Sequence, residues 1–252
     1  MFMRFVHVKV KPESMGGMRR LYNEEVIPAL HATKGCLYAS LIQGVHHADE
    51  CISMTLWETP GDAAAYEKGG VFAKLLHDAE PFFADSSEWK VHLTTDLELT
   101  YETVREEPVI DAYNVPASTN GSFPAGREGG GIYVRLVSPQ VRPGKMDEFK
   151  KLYAAEVLPV LRSVKGCRYA AIIENAKDPG KVLSISIWDS KQDADDYEIS
   201  GVFDSVTDKV KHTFSELYQW KMHLEKQTGR HVVTSEEITV EGYSVVTGRS
   251  FL

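Results

Sequence analysis

The sequence predicts an α+β protein made of two copies of one βαββαβ unit, and two observations predict it. Residues 4–93 align with residues 135–224 at a shift of 131 without a gap, and about a third of the pairs are identical. Within each copy the apolar periodicity runs strand, helix, strand, strand, helix, strand. A period this long marks a duplicated domain, because solenoid repeats recur every ~20–50 residues.

Each element follows in order. Residues 3–10 and 132–141 alternate as strands and stop at Lys11-Pro12 and Arg142-Pro143. A helix is expected over 15–32 and 146–163, with Met18, Leu21, Tyr22 and Val26 (Phe149, Leu152, Tyr153 and Val157) on one face. Pro28 and Pro159 fall near its end, where a missing backbone donor disturbs only the last turn. Gly35 and Gly166 suit the left-handed residue that closes a helix. A hairpin over 37–43 and 52–57 crosses the polar loop GVHHADE, with NAKDPGK as the loop of copy two. The second helix is expected to start at Asp62 or Asp193 as cap, and to break at Gly69-Gly70 or Ser200-Gly201 before a piece carrying Val71-Phe72 or Val202-Phe203. A last strand is expected over 88–97 and 219–225, which completes the ferredoxin-like order. EEPVIDAYNV and EEITVEGYSV then correspond, so each copy is expected to own an extended arm. PASTNGSFPAGREGGG between them reads as a linker and not as a phosphate cradle, since a strand rather than a helix follows it. The boundaries expected are domain one at 1–98, arm and linker at 99–131, domain two at 132–225 and a C-terminal arm at 226–252.

Composition narrows the function. A net charge of −8 with no basic cluster argues against nucleic acid and anionic membranes as partners. The start MFMRFVHVKVKP lacks the pattern of a signal peptide, and no apolar run approaches a membrane span. Of three cysteines, Cys36 and Cys167 occupy the same place in the two copies, which reads as buried free thiols, with Cys51, in a reducing cytoplasm.

The third strand is the most informative element. One face carries Ile52, Met54 and Leu56 (Leu183, Ile185 and Ile187), which suits packing of one sheet on another. The opposite face carries Ser53, Thr55 and Trp57 (Ser184, Ser186 and Trp188). Hydroxyl side chains beneath helices leave volume unfilled, with the tryptophan as a wall, so a cavity is expected there; the alternative is a tryptophan that simply fills the core.

KGCLYASL, a strand ending in LWE, a D-x-A-x-x-Y helix start and a GVF turn, repeated in part in copy two, resemble the antibiotic biosynthesis monooxygenase family of dimeric α+β barrels. The resemblance covers about three quarters of the chain. It implies that the two ferredoxin-like βαββαβ units pack sheet to sheet as an intrachain dimeric α+β barrel; the arms and linker lie outside the resemblance, and each arm is expected to cross onto or beside the other copy. It also implies a choice of chemistries, since the family includes cofactor-free quinone-forming monooxygenases and haem-degrading enzymes. Of the cofactor-free enzymes' residues only the tryptophan is kept, as Trp57 and Trp188. Ser53 or Ser184 stands at the asparagine position, Ala63 or Ala194 at the tyrosine position, and His77 or Asp208 at the arginine position. Tyr66 and Tyr197, one turn further along, are positioned to offer a phenol instead.

The leading expectation is a cofactor-independent monooxygenase acting on an electron-rich phenol, quinol or polycyclic aromatic, with no cofactor and no metal. Trp57, His77 and Tyr66 are the candidate catalytic residues, and Ser53, Thr55, Phe72, Trp188 and Tyr197 the candidate substrate contacts. His77 is the expected base, and its absence from copy two places the chemistry in copy one. A non-catalytic binding or sensing module on the same barrel is the alternative, and a haem-binding or haem-degrading monooxygenase, with Val6 or His7 and His77 near the required positions, the second. His46 and His47 with Asp49, Glu50 and Cys51 read as a solvated loop. Arg4 and Arg135 interrupt strand one alike; a sheet-edge or barrel-mouth salt bridge, to Glu25 or Glu156, is the expected role, and stabilisation of an anion is the alternative. A homodimer of the whole chain is an open oligomeric state.

Overall fold

A computed structural model describes residues 1–93, 99–105, 107–119, 123, 131–228 and 238–251. Copy one runs β1 (Phe2–Lys9), a helix in two α-helical pieces α1 (Met15–Leu21) and α2 (Ile27–His31), the hairpin β2 (Cys36–Gly44) and β3 (Glu50–Trp57), then α3 (Pro60–Lys68) and α4 (Val71–Ala79). A second hairpin, β4 (Asp85–Leu93) and β5 (Leu99–Arg105), precedes β6 (Val109–Ser118). Copy two repeats the plan with β7 (Tyr133–Ser138), α5 (Met146–Leu152), α6 (Leu158–Ser163), β8 (Cys167–Asn175), β9 (Val182–Trp188), α7 (Lys191–Ile199) and α8 (Val202–Val210). A helix α9 (Glu216–Thr228) and the strand β10 (Thr239–Ser250) end it.

Eight strands close a barrel in the order β1-β3-β2-β10-β7-β9-β8-β6. Cut between copies, this is two antiparallel sheets, β6-β1-β3-β2 and β10-β7-β9-β8, each with the strand order of a ferredoxin-like unit. The arms are therefore the fourth strands. β6 pairs with β1 of its own copy and β8 of the other, and β10 with β7 of its own copy and β2 of the other. Each arm thus supplies backbone partners to two edges that would otherwise be open, which is how closure removes edge strands.

The expected last strand requires correction in both copies. EWKVHL lies in β4, which pairs only with β5 outside the barrel, and QWKMHL lies in the helix α9. The copy-two stretch is rich in Glu, Leu, Lys, Gln and Met, strong helix formers, and no strand pairs with it among the described residues. In copy one LTYETVR follows and supplies that partner. Residues 94–97 of the expected strand and most of the linker, including its Gly-rich run up to Gly130, lie outside the described residues.

Side chains alternate across the barrel wall. Met3, Phe5, Ile52, Met54 and Leu56 pack inside against Val134, Leu136, Ile185 and Ile187, so the aliphatic face of β3 meets its counterpart on β9. Phe123 sits between Tyr38 and Tyr169 with ring centroids 4.6 and 4.2 Å away. The outer faces of the two sheets pack under their own helices in two separate cores.

The first helix of each copy contains a π-helical turn, Tyr22–Val26 and Tyr153–Val157, with Ile27 N–H donating to Tyr22 O and Leu158 N–H to Tyr153 O. Pro28 and Pro159 follow at once. A proline ring collides with the carbonyl four residues back and offers no donor to it, and widening the preceding turn relieves both. The disturbance therefore falls a turn earlier than the sequence suggests. The second helix is capped by Thr59 and Ser190, whose hydroxyls accept from the backbone of Asp62 and Asp193; the aspartates are third residues of the helix and not caps. Gly70 (φ 81°) and Gly201 (φ 76°) divide α3 from α4 and α7 from α8. No helix among the described residues is long and apolar enough to cross a membrane.

Candidate functional site

The β1–β3 register sets Arg4 opposite Thr55 and Val6 opposite Ser53, on the sheet face that looks toward the helices. In copy two Arg135 lies opposite Ser186 and Val137 opposite Ser184. A guanidinium and two small hydroxyls thus share each helix-covered face. The volume they do not fill is a cavity of about 50 Å³ in each copy.

The first cavity is lined by Arg4, Tyr22, Ser53, Thr55, Tyr66 and Phe72 together with aliphatic residues of β1, α1 and α4. The second has Arg135, Tyr153, Ser184, Ser186, Tyr197 and Phe203 in the same places. The π-helical turn brings Tyr22 over β3, where its hydroxyl lies 3.1 Å from Ser53 Oγ; Tyr153 and Ser184 are 2.5 Å apart. Burial raises the pKa of all four tyrosines, to about 12 for Tyr66 and Tyr153, so each remains a neutral phenol near neutral pH.

Arg4 is 3% exposed and Arg135 4%. The Arg4 guanidinium carbon lies 4.0 Å from the Phe72 ring centroid and 6.0 Å from that of Tyr66; for Arg135 the distances are 4.6 Å to Phe203 and 5.9 Å to Tyr197. Their ion partners are the half-exposed Glu67, 3.7 Å from Arg4 Nε, and Glu198, 2.5 Å from Arg135 Nη2. Neither contact has hydrogen-bond geometry, and Nε and Nη2 of both arginines have no protein hydrogen-bond partner. Desolvation, partly offset by Glu67, lowers the Arg4 pKa. The expected partners Glu25 and Glu156 instead pair with Lys74 and Lys209 on the outside.

The structure places the remaining candidates as follows. Trp57 is wholly buried, and its Nε1 donates to Thr55 Oγ1 at 2.9 Å; Trp188 does the same to Ser186. Each indole stacks behind a tyrosine, Trp57 with Tyr66 and Trp188 with Tyr197, both at 5.2 Å between centroids. The tryptophans therefore back the cavity wall without lining it, because their polar edge is turned to β3. His77 does not stand beside the cavity. Its side chain is 79% exposed on the outer side of α4, 3.3 Å from Glu80. Leu75, Leu76 and Ala79 occupy the inner side of that helix, and one residue's displacement along a helix turns a side chain by about 100°.

Among the described residues neither cavity is lined by a histidine or a carboxylate. The haem reading thus has no axial imidazole there; His7 points instead to a separate groove with Glu50, Glu241 and Tyr243. His46 and His47 are exposed, and among the described residues no three His, Cys, Asp or Glu side chains are grouped as metal ligands. Cavity residues that sequence reasoning left outside its candidate list include the arginines, the two π-turn tyrosines and, in copy two, Ser184, Ser186 and Phe203. Their signal was present: Arg4, Tyr22, Ser53, Tyr66, Glu67 and Phe72 are all identical in copy two.

Residues 132–206 match the sequence model of the antibiotic biosynthesis monooxygenase family. No curated protein matches the chain. Among solved structures, the chain is similar to a "putative monooxygenase" of Fusobacterium nucleatum, with a TM-score of 0.70 at 6% identity over 99% of this chain and 94% of that one. A second "putative monooxygenase", from Lactobacillus acidophilus, aligns with a TM-score of 0.62 at 9% identity over 99% and 96%. An anthrone oxidase-like protein aligns at 0.58 and 17% identity over 99% and 93%. At these identities the structures share the fold, and the sequence similarity to the antibiotic biosynthesis monooxygenase family lies in residues 132–206 of copy two.

Proposed function

We propose that this chain is a small-molecule oxygenase of the cofactor-independent type, acting on an electron-rich phenol, quinol or fused aromatic in the cavity between sheet and helices. The observation that carries the reading is the shared lining of the two cavities: one cationic side chain, phenols and small hydroxyls converge on a space otherwise walled by aromatic and aliphatic groups. In such chemistry the substrate anion passes an electron to dioxygen and the two radicals combine. The resulting peroxide loses water, so one oxygen atom stays on carbon and the other leaves as water. The protein's part is to bind, orient and exclude solvent. Tyr66 and Tyr197 would hydrogen-bond the substrate oxygen, Ser53, Thr55 and Phe72 would contact the ring in copy one, and Trp57 and Trp188 would hold the tyrosines in position. His77 has no part in it, and both copies carry the set, so activity is expected at two sites. The three thiols, with pKa values raised to about 12 by burial, fit a protein of a reducing compartment such as the cytoplasm.

A cavity of about 50 Å³ is smaller than the ~300–1,000 Å³ of drug-sized ligand pockets. A fused aromatic therefore requires Phe72 and the start of α4 to move outward. That size, with the absence of a lining base among the described residues, favours a second reading, a non-catalytic binding module.

Oxygen consumption with anthrone and a panel of quinols separates the two. The oxygenase reading expects uptake that falls about tenfold in Tyr66→Phe/Tyr197→Phe, the loss of one hydrogen bond to the reacting anion, and is unchanged in His77→Ala. Binding of the same compounds without uptake would establish the binding module instead.

A further inference from the structure

We propose that the buried arginine of each unit, Arg4 and Arg135, is an anion receptor, so that the ligand of each cavity is an aromatic or enolic acid bound as its phenolate, enolate or carboxylate. This rests on reading the two cavities as small-molecule sites. It adds the ligand's charge, and the way that charge arises.

Three independent features lead there. A guanidinium carries five donors, and removing it from water without satisfying them is unfavourable by about 1–3 kcal/mol for each group left unpaired. Both arginines are more than nine-tenths buried and line a cavity; Arg4 Nη2 and Arg135 Nε have no hydrogen-bond partner, while Arg4 Nε and Arg135 Nη2 have only their glutamate ion contacts. Second, the acid that faces each arginine is held at the rim: Glu67 and Glu198 are 51% and 42% exposed, and neither lines a cavity. The positive charge inside is therefore only partly offset, and desolvation of Arg4 shows in its lowered pKa. Third, Phe72 or Phe203 covers one face of the guanidinium. Its in-plane donors are the edge an anion would use, the geometry in which arginine binds a carboxylate or a lone anionic oxygen, and since Nε and Nη2 are fully buried a ligand reaches them only when the cavity opens.

A purely structural arginine stacked between rings would need none of this space, and the same packing could be met by an apolar side chain. The paired retention of Arg, Tyr, Glu and Phe in two copies that agree at about a third of positions points to a ligand role. Because neither lining contains a base among the described residues, the ligand's proton goes to solvent, and the guanidinium favours the ionised form by its charge at short range. The two sites differ. Glu198 lies at 2.5 Å from its arginine and Glu67 at 3.7 Å, so copy one, whose arginine is less neutralised, binds the anion more tightly.

The probe is para-nitrophenol, whose anion absorbs in the visible, titrated against the full chain from acid to alkali. The expected result is ionisation of the bound dye at a pH lower by about one unit or more than that of the free dye, with two classes of site. Arg4→Gln removes the tighter class and Arg135→Gln the weaker, Arg4→Lys retains the shift, and benzoate displaces the dye where benzamide does not. Competition by benzoate against benzamide on the unmodified chain decides the matter even where an arginine variant fails to fold. Binding of the neutral dye, or an anion shift that survives both glutamine substitutions, overturns the proposal while leaving the cavities as binding sites. An arginine-dependent shift without oxygen uptake on the aromatic panel leaves the receptor in place and removes the oxygenase reading.

Discussion

The indole of Trp57, at a position where the family resemblance implies a catalytic residue, donates its N–H to Thr55. Trp57→Phe leaves the cavity lining in place but removes that bond and some packing, so a loss of about 1–3 kcal/mol in unfolding free energy is expected, with Trp188→Phe close to it. Denaturant midpoints measure both; a loss confined to one copy would contradict the equivalence of the two cores. His7 offers a pH-dependent counterpart. Its pKa is lowered from 6.5 chiefly by desolvation, against the opposing pull of Asp111, Glu241 and Glu50, which face it from β6, β10 and β3. A histidine depressed in the folded state binds fewer protons there than in the unfolded chain, so its contribution is complete above about 6.5 and is lost as pH falls below it. The melting temperature of the wild type is expected to drop more steeply below pH ~6.5 than that of His7→Gln.

At the scale of elements, two proline positions shape the site. Because the π-helical turn carries Tyr22 onto Ser53, Pro28→Ala, which restores a donor for the carbonyl of Glu24, is expected to let the turn return to α-helical register and to rotate Tyr22 away. The expected signature is weaker cavity ligand binding with undiminished far-ultraviolet helicity; unchanged binding would show that the tyrosine is held by packing alone. Gly35 is the other element-scale constraint. It has φ 77°, and a Cβ there would lie 2.5 Å from the Asp62 side chain that closes the cap of α3. Gly35→Ala should therefore reduce stability by at least ~1–2 kcal/mol, measurable by urea unfolding, with Gly166→Ala alike because Asp193 stands in the same relation.

For the whole molecule, the barrel depends on exchange between its halves. β10 is hydrogen-bonded to β7 over residues 239–244 and to β2 over residues 243–250, so it seals one of the two seams between copies. Deleting residues 238–252 would expose the edges of β2 and β7 together with apolar interior around Tyr243 and Val245. The expected result is self-association or precipitation, seen by gel filtration with light scattering; a folded monomer would show that β6 alone suffices for closure.

The alternation on β3, the breaks at Gly70 and Gly201 and the motifs of the resemblance are written in local sequence, because each is a pattern of neighbours a few residues apart, and the duplication is legible because those local patterns recur 131 residues on. The face carrying Ser53 and Thr55 was likewise legible as a place where volume is left over. What tertiary structure alone decided is where distant pieces meet. It assigned the fourth barrel strand to the arms and not to EWKVHL or QWKMHL, since pairing depends on which edges stay open once the copies dock. Those two similar stretches become a strand and a helix for the same reason: the partner that β5 supplies in copy one has no equivalent beside α9 among the described residues. And it turned His77 to solvent while bringing Arg4 under Phe72, because a helix's rotation about its axis is set by packing against the sheet, a long-range contact that spacing within the helix does not encode.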